Sequence, residues 1–100
     1  MIKHIVFFTL KPEGEGRPAH ENALEMKARL EALNGRIDGL LMLEVGIDFS
    51  RTDASADVAL YSEFTDRASL DAYQAHPEHV AIARWVAGLR ESRTIVDYEV

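Results

Sequence analysis

The sequence contains no cysteine. A disulfide framework, a thiolate nucleophile and a cysteine-held metal are all excluded. The absence suits a reducing compartment, and a cytoplasmic location is the expectation. Positive charge is also scarce, with 11 Lys and Arg against 17 Asp and Glu and a formal net charge of −6 at pH 7. Phosphate backbones and anionic membrane surfaces are held by concentrated Lys and Arg, so neither nucleic acid nor such a membrane is expected as a partner. The opening apolar run, Ile2–Leu10, is far shorter than the roughly 20 residues of a spanning helix. No cleavable leader pattern follows it. Internal repeats, low-complexity tracts, phosphate-cradling glycine loops and dinucleotide fingerprints are missing as well.

What is present is an ordinary globular composition, 47% hydrophobic and 28% charged over 100 residues. That length makes one domain, residues 1–100, with a modest core. Ile2–Leu10 is rich in β-branched and aromatic residues and reads as a strand with bulky apolar groups on both faces. Such a strand is usually covered on both sides. Helices of so small a domain can cover one face, and the other is expected to meet a second copy of the chain. Lys11–Arg17 reads as a loop, with Pro18 in the first turn of a helix. The stripe Ala19, Ala23, Met26, Leu30, Leu33 has the spacing of one buried helical face. Gly35 is the expected residue just past its end. Leu40–Ile47 reads as a second strand, with Leu41, Leu43, Val45 and Ile47 sharing a face. Ala56–Phe64 is a third strand, Thr65 or Asp66 a helix cap, and Arg93–Glu99 a last strand with Ile95 opposite Val96 and Tyr98. The order β-α-β-β-α-α-β gives an α+β, ferredoxin-like fold, a four-stranded antiparallel sheet with helices on one face.

The chemistry-bearing residues gather where Pro77 divides two helical segments. Proline disfavours the helical conformation at the residue before it and suits the first turn of a new helix. His76 then sits at a corner, His79 in the opening turn of the next helix, and Tyr73 one turn before the corner. All three can face one volume. His4 shares a strand face with Val6 and Phe8, and that face looks under the corner if it points toward the helices. The structural alternatives are plain. His4 is a buried ring bonded to a backbone carbonyl, His76 a cap at the helix break, Tyr73 a core ring with its hydroxyl bonded nearby. His20, among Glu21 and Asn22, is expected to be solvated. Together His79, Tyr73 and His4 suit proton abstraction beside a carbonyl. A helix N-terminus disfavours the imidazolium, which leaves His79 neutral and able to accept a proton. The Tyr73 phenol holds the developing enolate, and His4 orients the base or helps to bind the oxygen. His76 and His79 could both reach one ion, but zinc sites draw on three or four ligands, and no metal or other cofactor is expected.

The segment Tyr73-x-x-His76-Pro77-x-His79-Val80, with Phe64 and Leu70 before it, resembles the signature of the stress-responsive dimeric α/β-barrel (Dabb) family. His4-Ile5-Val6-Phe7-Phe8 resembles that family's first strand, and Gly46-Ile47-Asp48-Phe49-Ser50 its Gly-x-Asn-x-Ser segment, with Asp48 in place of the usual Asn. The resemblance implies a homodimer whose two sheets pack face to face into a barrel. Some members of that family are cofactor-independent cyclases of polyketide-type substrates, with a base matching His79 and supporting residues matching Tyr73 and His4. Those members also use a first-helix tyrosine, and this chain has none near Met26 and Lys27. The expectation is a small homodimer with an apolar pocket for an oxygen-bearing ligand, capable of cyclase- or lyase-like proton transfer. Two other readings stay open: a non-catalytic stress-related binding or scaffold protein, and a cofactor-free dimeric-barrel monooxygenase.

Overall fold

A computed structural model describes residues 1–100. Its elements are β1 (Ile2–Leu10), β2 (Glu13–Gly14), β3 (Arg17–Pro18), α1 (Ala19–Glu31), β4 (Leu40–Ile47), β5 (Val58–Phe64), α2 (Arg67–Ala75), α3 (Pro77–Ala87) and β6 (Arg90–Glu99). The four long strands form one antiparallel sheet in the order β4-β5-β1-β6. This is the ferredoxin-like arrangement, with β1 in the interior of the sheet and the helices on one face. No helix is long and apolar enough to cross a membrane.

Strand alternation sorts β1 as its sequence demands. Ile2, His4, Val6, Phe8 and Leu10 point to the helices and are buried, while Phe7 on the other face is 42% exposed. That outer face, carrying Ile5 and Phe7 and their β6 partners Val96 and Thr94, has no helix over it. The α1 stripe seals the inner layer: Ala23, Met26, Leu30 and Leu33 are buried, and Met26 is fully enclosed.

Three details depart from the pattern read in the sequence. The first loop folds into a two-rung hairpin, β2 with β3, because the buried Asn22 amide donates to the Gly14 and Arg17 carbonyls and ties the loop to α1. A Cβ on Gly14 would lie 2.8 Å from Leu89, so the hairpin packs closely there. Pro18 is the residue before α1 rather than its first turn, and Gly35 lies beyond the Ala32 cap, in a turn, with a φ of +79°.

The face assigned to β4 is also corrected. A register shift between Leu40 and Met42 inserts one extra residue, as a β-bulge does. Leu40, Leu43 and Val45 are buried, whereas Leu41 is 53% exposed. Side chains from the α1 end then occupy the free edge of β4. Asn34 exchanges both hydrogen bonds with the Leu43 backbone, at 2.9 and 2.8 Å, and the Glu31 carboxylate accepts from the Val45 N–H at 2.9 Å. An edge with its backbone groups engaged is a poor template for wrong pairing.

Candidate active site

The helix break forms as the sequence indicates. Asp66 caps α2 by accepting from the Ser69 N–H at 2.8 Å, and α2 ends at Ala75. His76 is extended, with φ −65° and ψ 131°, the conformation a residue before proline favours. Its Nδ1 accepts from the Glu78 N–H at 3.1 Å, which makes it the N-cap of α3. His76 is therefore structural. It does not line the cavity described next, and the expectation that it shares a volume with Tyr73 and His79 is corrected. No group of three His, Cys, Asp or Glu side chains converges as an ion-binding set.

Between the inner sheet face and α2–α3 lies a cavity of about 320 Å³. Its wall is mainly apolar, with Val6, Phe8, Leu60, Ile82 and Val86 among its members. One end is polar and holds His4, Tyr73 and His79, so the structure brings together three of the four residues the sequence singled out. Helix α2 supplies Tyr73, α3 supplies His79 and β1 supplies His4. Tyr73 is fully buried among rings, with centroids 5.0 Å from Phe64, 6.3 Å from His4 and 4.2 Å from His79.

The polar atoms at this end are unusual. The Tyr73 hydroxyl and His79 Nδ1 are both buried and have no hydrogen-bond partner in the protein. Nearly all buried polar atoms in folded proteins are paired, and leaving one unpaired costs about 1–3 kcal/mol. The two atoms belong to adjacent rings that line the cavity. Burial pushes the Tyr73 hydroxyl above its ordinary range, so it stays a proton donor at working pH. Burial also lowers the His79 pKa; the Gln74 backbone opposes this, and the charges of His4, Arg93 and His76 assist it. Desolvation is thus the main cause that favours the neutral imidazole expected for His79.

His4 is 5% exposed and bonds through Nδ1 to the carboxylate of Asp97 on β6, not to a backbone carbonyl. The carboxylate accepts from the Nδ1–H and holds the ring plane. The buried Ser62 hydroxyl donates to the His4 carbonyl at 3.1 Å. His20 is exposed, away from this end. Four residues of the site were not singled out in the sequence: Asp97, and the cavity-lining Gln74, Arg90 and Arg93. The signal for two of them was available. Arg93 and Asp97 share the parity of Ile95, so strand alternation alone sends them to the helix side of the sheet.

Comparison with known proteins agrees with this architecture. The family model described as the stress responsive A/B barrel domain matches residues 2–100. A ferredoxin-like protein from Bacteroides fragilis, described as dimeric and of unknown function, is 35% identical with a TM-score of 0.83, over 99% of this chain and 95% of that one. A dimeric ferredoxin-like protein from a Jannaschia species, likewise of unknown function, is 31% identical with a TM-score of 0.74, over 99% and 98%. A structure described as an antibiotic biosynthesis monooxygenase has a TM-score of 0.76 at 22% identity over 100% and 98%, a likeness of fold alone. The curated proteins give no match.

Proposed function

The chain belongs to the stress responsive A/B barrel domain family, and on that premise we propose that it is a homodimeric protein that binds a small, largely apolar ligand bearing a carbonyl group and catalyses cofactor-independent proton transfer on it. One observation carries this reading: two unpaired buried polar atoms, the Tyr73 hydroxyl and His79 Nδ1, on rings that line an apolar cavity. A purely structural core would pair them or replace them with apolar groups.

The roles follow from the chemistry of each group. Neutral His79 takes a proton from the carbon beside the carbonyl, and the C–H electron pair moves into an enolate. The Tyr73 O–H donates to the enolate oxygen as charge develops there. In a dry site such a donor is worth about 10²–10³ in rate. His4, its ring held by Asp97, packs edge-on against the Tyr73 ring at the same end and orients the groups around the base. The His79 imidazolium then returns its proton to the product carbon or to an oxygen, which balances the cycle. The second copy covers the open sheet face carrying Phe7 and Val96, in line with the dimeric relatives. A chain without cysteine suits the cytoplasm.

The test is an NMR titration of the histidine rings with a panel of phenolic and β-keto ligands. His79 and His4 signals should move together on ligand addition, while His20 stays still. On a substrate so found, His79→Ala should abolish turnover and leave the fold intact. Ligand binding without turnover would mark a binding protein. Histidine signals that ignore the whole panel would refute the site.

A further inference from the structure

The cavity wall has a charge character opposite to that of the whole chain. The protein carries a net charge of −6, yet no Asp or Glu lines the cavity, whereas Arg90 and Arg93 do. Arg17, Arg29, Arg36, Arg51 and Arg67 each pair with a carboxylate; Arg84, Arg90 and Arg93 do not, and of these three only Arg90 and Arg93 line the cavity. Of the acids on their strand that face the same side, Asp97 is engaged by His4 and Glu99 by Arg67. Arg93 lies across from Phe8 in the β1–β6 ladder and next but one to Ile95, so its stem runs along the apolar wall. Its charge reaches the polar end as well, since it helps to disfavour the His79 imidazolium.

We infer that the ligand of this site is an organic carboxylate, its anionic group held at the β6 rim by Arg93 with Arg90 and its carbonyl directed to Tyr73 and His79. The inference rests on the proposed function and names the class of molecule the pocket takes. A guanidinium fork matches the two oxygens of a carboxylate, which makes arginine the fitting residue for planar, two-point recognition. The remaining wall is mostly apolar, with 9 hydrophobic residues among 14, and so offers few extra donors to a phosphate dianion. The ligand is then a keto acid with an apolar body between its two polar groups. The same cations favour a second negative charge, the enolate, within the cavity.

The test compares 3-benzoylpropanoate with its methyl ester, which has the same body without the charge, by calorimetry on the full chain. Inorganic phosphate serves as the control anion. The anion should bind about tenfold more tightly than the ester, the scale of one charge-assisted hydrogen bond. High salt should narrow the gap, because the rim is partly exposed. Arg93→Met with Arg90→Met should bring the two affinities together by weakening the anion alone, and Arg93→Lys should keep part of the preference. Folding of each variant is checked from its amide NMR spectrum, and both arginines lie at the rim rather than in the core. Ester binding equal to or tighter than anion binding would overturn the carboxylate assignment and leave the pocket standing, as would an unchanged preference in the double Met variant or phosphate binding in place of the keto acid. If neither organic probe binds and no histidine signal moves, the proposed site falls, and this inference falls with it.

Discussion

Tyr73→Phe should make this protein more stable. The expectation runs against the usual result for a fully buried tyrosine, and it follows from the unpaired hydroxyl. The substitution keeps the ring and its packing against Phe64 and His79 and removes one oxygen. A buried hydroxyl that bonds to nothing in the protein has lost its water on folding without replacement, a cost of about 1–3 kcal/mol. The adjoining cavity can admit water and soften that cost, and the lost oxygen gives up some contact. The net gain is then at the lower end, about 1 kcal/mol. For a domain of this size that raises Tm by about 4–8 °C. Thermal and denaturant unfolding should be measured together, at one protein concentration, because a dimer's apparent stability depends on concentration. The same variant should lose most turnover on any substrate found, since Phe cannot donate to an enolate. A fall in Tm would refute the reasoning, showing that the hydroxyl is well bonded in solution and that its role is structural.

Two further expectations concern pH and assembly. The folded-state pKa of His79 lies below its unfolded value of 6.5, so the unfolded chain binds more protons between those two values. Stability should therefore be unaffected by His79 above that range, fall as pH drops through it, and level off below the folded pKa; His79→Gln should flatten that part of the profile. The Glu31 carboxyl, held low by Lys27 and the Val45 N–H, adds a separate loss that begins below about its ordinary 4.5 and ends below its folded pKa. Phe7→Asp places a charge at the middle of the uncovered sheet face and should give a monomer by sedimentation with the far-ultraviolet dichroism preserved; a dimer that survives would place the interface elsewhere.

Some of this molecule was readable from residue order because the relevant forces are local or periodic. The two apolar faces of Ile2–Leu10 imply cover on both sides whatever lies around them, and the Ala23–Met26–Leu30 spacing implies a buried helical stripe. Pro77 dictates the break, and its steric effect on His76 dictates the extended backbone found there. The bulge at Leu41 was not readable, because it depends on how β4 registers with β5 across the chain and not on the strand's own pattern. Asp97 and Arg93 had the right parity, but parity does not say which distant ring a strand residue meets. Only the antiparallel pairing of β1 with β6 sets Asp97 opposite His4 and Arg93 opposite Phe8. The role of His76 was likewise decided in three dimensions. A histidine beside a proline can turn into a cavity or back onto its own helix, and here the free Glu78 N–H drew it back. Sequence by itself determined the fold, the corner and the kinds of group available. Tertiary structure decided which of those groups are left unpaired, because hydrogen-bond satisfaction is a property of neighbours far apart in the chain.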